Sequence, residues 1–208
     1  MEYVIIIGHD LDLNKYDYTN KYVIAVDRGA LKALQAGIKV DLALGDFDSI
    51  KVNQKEELKK HFNLLELPSE KDETDTLAAI KLCKNANKIT ILGGIQGKRI
   101  EHFLANINLL ISNPLIEIID NNSHIYTENS SFSIEKSIYK FYSFMAIEDA
   151  IITLNGFKYP LTEYNLVKND IIGISNELIS EKGQVYLKKG LILVIITISD
   201  EKYISKDN

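Results

Sequence analysis

Acidic residues in three short segments are the part of this chain best suited to chemistry. Asp46 and Asp48 lie two positions apart, Asp72 and Asp75 lie three positions apart, and Glu101 follows shortly after two cations. Carboxylate oxygens are the ligands that Mg²⁺ prefers, and Mg²⁺ usually combines one or two protein carboxylates with the oxygens of substrate phosphates. The three segments therefore predict a Mg²⁺–polyphosphate site and point to nucleotide chemistry.

Residues 93–99 combine glycines with positive charge beside the third segment. Glycines let the backbone approach a phosphate closely, and a helix beginning after them would attract an anion to its N-terminus. Arg99 suits bidentate phosphate contact better than Lys98 does. The segment has neither the spacing of a Walker A loop nor the fingerprint of a dinucleotide-binding turn. Two interpretations stay open: a phosphate-binding turn, or a plain strand-to-helix turn with solvated cations.

The acidic segments also have ordinary structural interpretations. Asp46 and Asp48 suit a turn in which an aspartate accepts local hydrogen bonds. Asp72 suits the cap of a helix, and either Asp72 or Asp75 would favour the positive end of the helix dipole. Against these alternatives, four carboxylates that converge without a cation would repel one another strongly, which favours bound metal. His102 is interpreted as a structural or orienting residue and not as a catalytic base. A zinc site is not expected.

The composition predicts a folded protein. Of its 208 residues, 46% are hydrophobic and 25% are charged, which allows a buried core. The formal net charge of −5 argues against nonspecific binding of nucleic acid. No apolar stretch approaches the roughly 20 residues of a membrane span, and the start of the chain is interpreted as a strand instead of a signal peptide. The single cysteine, Cys83, excludes an internal disulfide, so we expect a cytoplasmic protein that contacts no membrane.

The first half of the chain alternates short apolar runs with helical patterns. Strands are predicted at residues 3–7, 22–26, 42–44, 63–67 and 88–92, and helices at 29–36, 53–61, 74–85 and 100–112. This alternation is typical of βαβ units and of a mostly parallel sheet flanked by helices. Ligands bind at the carboxyl ends of the strands in such sheets. Asp27, Asp46 and Gly94 follow predicted strands, so we expect them at that edge.

The second half is rich in β patterns and has no convincing helix. Strands are predicted at residues 116–119, 124–126, 132–134, 138–146, 151–154, 171–174, 185–187 and 191–197. Turn signals such as 155–156 and 189–190 separate several of them. We therefore expect an α/β domain over residues 1–115, with a mostly parallel sheet flanked by helices, and an all-β sandwich over residues 116–208.

At the acidic and glycine-rich segments the chain resembles the thiamine pyrophosphokinase family. The resemblance lies in residues 25–30, 45–50, 71–76 and 93–102 with Asn106, and in residues 156–161 and 173–177 of the β-rich half. The Gly-Asp-Phe-Asp-Ser and Lys-Asp-Glu-Thr-Asp runs are highly specific in combination. The resemblance implies an α/β domain, a β-sandwich and a homodimer. It further implies transfer of a diphosphate from ATP to the hydroxyl of thiamine, with Mg²⁺, giving AMP.

The resemblance also assigns residues by position. Asp46, Asp48, Asp72 and Asp75 would form the metal–phosphate site, and Arg99 would act at the phosphates. Our own hypothesis for the mechanism, separate from these assignments, is that a carboxylate, either Asp75 or Asp48, accepts the proton of the thiamine hydroxyl. Ser175 and Asn176 would lie on the thiamine side, in a segment shared across the dimer interface. The full set predicted to bind substrate is Asp27, Lys71, Gly94, Lys98, Arg99, Glu101, His102, Asn106, Ser175 and Asn176.

Two positions depart from the family pattern. Arg28 replaces the first glycine of a motif that usually reads Asp-Gly-Gly-Ala, and Glu101 stands where an aspartate usually precedes His102. Arg28 would add a phosphate contact or alter the turn, and Glu101 would displace its charge by about one methylene.

Two other functions stay open from the residues. The run 46–49 resembles an aspartyl-phosphate phosphatase motif with Asp46 as nucleophile, although that motif belongs after the first strand. A nonenzymatic nucleotide-sensing module would bind ATP without releasing AMP.

Overall fold

The structure is a computed structural model that describes residues 1–8, 11–95 and 99–199. The chain divides between Asn121 and Asn122 into two compact units. No helix within the described residues is long and apolar enough to cross a membrane.

Among the described residues of the first unit, six parallel strands form a sheet in the order β4–β3–β2–β1–β5–β6. The strands are β1 (Glu2–Ile7), β2 (Lys21–Val26), β3 (Leu42–Gly45), β4 (Leu64–Glu66), β5 (Lys88–Leu92) and β6 (Ile116–Ile119). Between them lie the helices α1 (Arg28–Gln35), α2 (Val52–His61), α3 (Asp75–Leu82) and α4 (Ile100–Ser112). The predicted α/β architecture with a parallel sheet is confirmed.

Both faces of the strands are apolar, which explains why helices cover the sheet. Side chains alternate along a strand, so Val4 and Ile6 share one face of β1 and Ile5 lies on the other. Val4 and Ile6 belong to a buried cluster with Ala33 of α1 and Leu58 of α2. Ile5 is fully buried as well. Helix α3 packs against β1, β2 and β3, and α4 packs against β6.

The order of the strands creates a switch point between β1 and β5. The chain adds β2, β3 and β4 on one side of β1, and then crosses through α3 to place β5 on the other side. In open α/β sheets the crevice at such a point, at the carboxyl ends of the strands, is the usual place for a ligand. The loops after β1, β2, β3 and β5 all leave the sheet at this edge.

Strand β6 belongs to the first unit. Ile116–Ile119 pairs in parallel with β5 over its full length, whereas the sequence prediction placed these residues in the β-rich second domain. The apolar run correctly predicted a strand, but its pairing partner is distant in sequence and left no local signal.

In the part of the second unit that the structure describes, residues 122–199, seven strands form two antiparallel arrangements. One sheet has the order β7–β13–β9 and the other β11–β10–β12–β8. The strands are β7 (Ser123–Glu128), β8 (Phe132–Glu135), β9 (Tyr139–Ala146), β10 (Ala150–Asn155), β11 (Leu161–Leu166), β12 (Lys182–Lys189) and β13 (Ile192–Ile198). One buried cluster takes side chains from both sheets, including Phe144, Ile152 and Val194. The predicted β-sandwich is confirmed.

Two local predictions in this unit were wrong. Residues 171–174 are not a strand, and Ile171 is 73% exposed. Conversely, Leu161–Leu166 pairs with β10 although it was not predicted. Its sequence, Leu-Thr-Glu-Tyr-Asn-Leu, follows Pro160 and is largely polar because it is an edge strand of its sheet. An apolar run does not distinguish a buried strand from an exposed loop.

Candidate active site

Three neighbouring strands present the acidic residues at one edge of the sheet. Asp27 follows β2 directly and Asp46 follows β3 directly, and the segment from Lys71 to Asp75 joins β4 to α3. Because β2, β3 and β4 are adjacent and parallel, their carboxyl ends open onto the same edge. The structure thus brings two of the predicted acidic segments, together with Asp27, to one place.

Asp27 sits under the loop that carries Asp46. Its backbone has φ 48° and ψ −118°, an uncommon conformation for a residue with a side chain. Its amide donates to the Leu44 carbonyl at 2.9 Å, and its Oδ1 accepts from the Phe47 amide at 3.4 Å. A Cβ on Gly45 would overlap Oδ1 of Asp27. The Asp27 carboxylate therefore fills the space that a glycine leaves at position 45.

The surroundings of Asp27 are electrically negative. Burial, together with the charges of Asp75 and Asp46, raises the pKa of Asp27 to about 6, against the Phe47 hydrogen bond and Lys71, which lower it. The carboxylates of Asp27, Asp46 and Asp75 are thus close enough to act on one another. A site of this charge attracts cations.

Lys71 and Asp75 form an ion pair within this cluster. Nζ of Lys71 lies 2.9 Å from Oδ1 of Asp75, and the two side chains are only 15% and 18% exposed. Nζ also donates to the Pro68 carbonyl at 2.9 Å. Burial lowers the pKa of Lys71, but the carboxylates of Asp75, Asp46 and Asp27 outweigh burial and leave that pKa raised. Oδ1 of Asp75 is buried and accepts no hydrogen bond of good geometry from the described residues.

Thr74, and not Asp72, caps helix α3. The Thr74 hydroxyl accepts from the Leu77 amide at 3.2 Å, and the helix begins at Asp75. The interpretation of Asp72 as the cap was wrong, because Asp72 lies two residues before the cap and is exposed. Asp75 occupies the first turn, where the positive end of the dipole favours its charge.

In each of the two aspartate pairs, Asp46/Asp48 and Asp72/Asp75, one member is more exposed: Asp48 in the first and Asp72 in the second. Both side chains are exposed, whereas Asp46 and Asp75 are partly buried. The Asp48 amide donates to Oδ1 of Asp46 at 3.1 Å, which is the local turn bond expected of the ordinary interpretation. Among the described residues, no group of three or more acidic, histidine or cysteine side chains stands arranged to hold a metal ion. The four-carboxylate metal site stays a prediction.

The glycine turn after β5 is anchored from two sides. Gly93 and Gly94 have φ values of 94° and 82°, and the Gly93 amide donates to the Ile119 carbonyl at 2.8 Å. The buried amide of Asn106 donates from Nδ2 to the Gly94 carbonyl at 3.3 Å. A Cβ on Gly94 would stand 2.6 Å from that nitrogen. Asn106 therefore positions the turn, and glycine is required at position 94.

The cations and the third acidic residue lie where α4 begins. Arg99 directly precedes the helix and is exposed, and Glu101 lies in its first turn. Nε2 of His102 is 4.0 Å from Oε1 of Glu101, and both side chains are well exposed. Lys98 was also predicted to bind phosphate, but it lies outside the described residues.

Comparison with known proteins identifies the family. Residues 13–119 match the sequence model of the thiamin pyrophosphokinase catalytic domain, and residues 129–192 match that of the thiamin pyrophosphokinase vitamin B1 binding domain. A thiamine pyrophosphokinase of Bacillus subtilis (strain 168) is 37% identical over 195 residues, which cover 88% of this chain and 91% of that protein. The chain belongs to the thiamine pyrophosphokinase family.

Solved structures of thiamine pyrophosphokinases have the same fold. The crystal structure of the Bacillus subtilis protein superposes with a TM-score of 0.84 at 33% identity, covering 96% of this chain and 100% of that one. The protein of Geobacillus thermodenitrificans gives a TM-score of 0.83 at 30% identity, with 96% and 98% covered. The resemblance stated from the sequence motifs is confirmed.

In the part matched by the vitamin B1 binding domain, hydrogen bonds to neighbouring segments hold Ser175 and Asn176 in place. Ser175 has φ 56° and an exposed side chain, and its amide donates to Oγ of Ser143 at 3.0 Å. Asn176 is buried, and its side chain accepts from the Tyr159 amide at 3.0 Å and donates to the Tyr159 carbonyl at 2.8 Å. Asn176 thus joins the two segments that carry the family resemblance in this unit.

Two features of the thiamine pyrophosphokinase site were not predicted from the sequence. Thr74 stands directly before an apolar periodic stretch, so the cap signal was present but the neighbouring aspartates obscured it. The anchoring of Lys71 by the Pro68 carbonyl has no sequence signal, because it depends on how the loop after β4 turns. The spacing of Lys71 and Asp75, four residues apart, was visible in the sequence.

Proposed function

We propose that this chain transfers the diphosphate of ATP to the hydroxyl of thiamine, with Mg²⁺, giving thiamine diphosphate and AMP. The observation that carries the proposal is the cluster of Asp27, Asp46 and Asp75 around Lys71, at the carboxyl edge of the sheet within the segment that matches the catalytic domain. Phosphoryl transfer requires positioning and charge stabilisation more than covalent chemistry, and charged groups at a sheet edge supply both.

The carboxylates at this edge are of the chemical kind that a magnesium ion binds. Oδ1 of Asp75 is a buried oxygen whose partner is the ammonium of Lys71, and burial together with Asp75 and Asp46 raises the pKa of Asp27. Mg²⁺ commonly takes one or two protein carboxylates and completes its shell with phosphate oxygens and water, which suits this group. Asp46 and Asp75 would hold it, with Asp48 and Asp72 reaching it directly or through water.

Asp46 and Asp75 would hold the metal, which when bound would supply positive charge to offset the charge that develops on the phosphates during transfer. Arg99 stands at the start of α4, where its guanidinium and the helix N-terminus would bind the phosphates, with Lys71 and Lys98 assisting. The turn at Gly94, fixed by Asn106, lets the backbone approach them. Asp75 or Asp48 would accept the proton of the thiamine hydroxyl. Ser175 and Asn176 are assigned to the thiamine side.

We further propose that the protein is a cytoplasmic homodimer. Support comes from exposed isoleucines beside the Ser175–Asn176 segment: Ile171 is 73% exposed, Ile172 54% and Ile174 44%. Contiguous apolar side chains on a surface are typical of a protein interface. A second copy of the chain that covers them would lie against the thiamine side.

A coupled assay for AMP, with and without thiamine, tests the reaction. We expect AMP release that requires both thiamine and Mg²⁺, and we expect Asp75→Asn to reduce turnover by about 10²-fold or more because a metal–phosphate contact is lost. Circular dichroism and thermal unfolding report whether the variant stays folded. Asp12→Asn, at an exposed position whose carboxylate pairs with Lys15, is the matched control and should retain full activity.

Two outcomes contradict the proposal. ATP binding without thiamine-dependent AMP would indicate a nucleotide-sensing module. A phosphate trapped on Asp46 would indicate the phosphatase alternative, although Asp46 follows β3 and not the first strand.

A further inference from the structure

Lys71 places a positive charge inside the carboxylate cluster. We propose that Lys71 is an internal counter-ion that competes with a divalent cation for Asp75, so that the metal binds tightly only together with nucleotide phosphates. The proposal rests on the proposed function, since it assumes that Asp75 is a metal ligand. It concerns whether the metal ion binds before the nucleotide or together with it, which the overall reaction does not determine.

The ion pair is built into the loop and is not a loose surface contact. Both side chains are largely buried, and Nζ of Lys71 is fixed a second time by the Pro68 carbonyl at 2.9 Å. Lys81 and Glu73, which pair nearby, provide a contrast because the Lys81 side chain is 61% exposed. A fixed, poorly solvated pair interacts more strongly than an exposed one, since water screens it less.

The charge of Lys71 is shared by the whole cluster. Asp27, Asp46 and Asp75 each raise the pKa of Lys71, and Lys71 in turn lowers the pKa of Asp27. The ammonium therefore neutralises part of the charge that would otherwise attract a metal ion. Its removal would leave the carboxylates in mutual repulsion, a state that a divalent cation relieves.

A metal ion at Asp75 and an ammonium 2.9 Å from Oδ1 of the same carboxylate compete for its lone pairs and repel one another. Moving Lys71 aside relieves this repulsion, but it costs free energy unless another anion receives the ammonium. Phosphates of a nucleotide at the same edge are such an anion. By linkage, a nucleotide that draws Lys71 away raises the affinity for metal, and the metal raises the affinity for nucleotide by the same factor.

Binding of Mn²⁺ to the whole protein, followed by electron paramagnetic resonance in the absence of thiamine, tests this competition. We expect Lys71→Gln to bind Mn²⁺ about tenfold more tightly than wild type without nucleotide, a typical size for coupling between sites. The α,β-methylene analogue of ATP should tighten Mn²⁺ binding strongly in wild type and much less in Lys71→Gln. Lys71→Arg keeps the charge and should bind Mn²⁺ as weakly as wild type.

Lys81→Gln is the matched control, because it removes the same charge from an exposed pair close to the site. Equal Mn²⁺ affinity in Lys71→Gln and wild type would overturn the proposal, and so would equal tightening in Lys81→Gln, which would show a general charge effect. Thermal unfolding verifies the fold, and Lys71→Met replaces Lys71→Gln if that variant unfolds. Mn²⁺ binding is measured without turnover, so failure of the AMP assay and failure of this test are separate results.

Discussion

Asp27 and Gly45 depend on each other although they are distant in sequence. The Asp27 carboxylate takes the place of a side chain at position 45, and its hydrogen bond to the Phe47 amide reaches into the loop that carries Asp46. The strained backbone of Asp27 is maintained by the hydrogen bond that its amide donates to the Leu44 carbonyl. At the scale of single residues, the geometry of the acidic edge depends on one glycine.

Gly45→Ala should therefore displace the Asp27 carboxylate. We expect a loss of about 2 kcal/mol in the free energy of unfolding, from the positive φ of 149° and the overlap together, and a clear fall in turnover. Urea unfolding and the AMP assay measure the two effects.

Gly37→Ala is the control, since Gly37 also has a positive φ, of 69°, but nothing lies within 4 Å of its Cβ position. It should cost about 1 kcal/mol and leave turnover unchanged. Equal effects of both substitutions would show that only backbone strain matters at Gly45.

At the scale of elements, the start of α3 determines where Asp75 stands. Thr74 closes the first turn of the helix, and Asp75 follows at once, so the cap and the ion pair with Lys71 are adjacent. An error in the position of the helix start would move Asp75 away from the edge.

Thr74→Ala should lower the free energy of unfolding by about 1 kcal/mol, the usual cost of a lost N-cap. Asp72→Asn should change it by no more than a few tenths of a kcal/mol, because Asp72 is exposed and does not cap the helix. Urea unfolding of the two variants beside wild type measures the difference. A larger loss of stability in Asp72→Asn than in Thr74→Ala would indicate that Asp72 caps the helix.

Elements with a strong periodic pattern were predictable, and nonlocal pairings were not. Helix α4 spans the residues that its apolar spacing predicted, 100–112, and the strand ends at Asp27 and Asp46 were also predicted correctly. The parallel pairing of β6, the edge strand β11 and the exposed loop at Ile172 were missed. Each of these depends on a partner elsewhere in the chain, or on the absence of burial, which no local pattern reports.

At the scale of the whole molecule, the two units carry different parts of the proposed chemistry. The first holds the acidic edge and the second holds the Ser175–Asn176 segment with its exposed isoleucines. The proposed dimer would cover these isoleucines, and burial of large apolar side chains is what stabilises such an interface.

Ile172→Asp should therefore convert the protein to a monomer. Sedimentation equilibrium of wild type should give twice the chain mass, and the variant should give the chain mass, because a buried unpaired charge opposes association. Val52→Asp is the control: Val52 is 80% exposed at the start of α2, in the first unit. A wild-type protein that sediments as a monomer at every concentration would refute the dimer.

The side chain of Asn176 has a consequence for how the second unit tolerates change. Its Oδ1 accepts from the Tyr159 amide and its Nδ2 donates to the Tyr159 carbonyl, as a neighbouring peptide group would. Residue 159 is thus held in place through atoms that every amino acid except proline possesses. Its own ring, 58% exposed, contributes little to that hold. Other side chains at position 159 should therefore leave the shape of this loop unchanged.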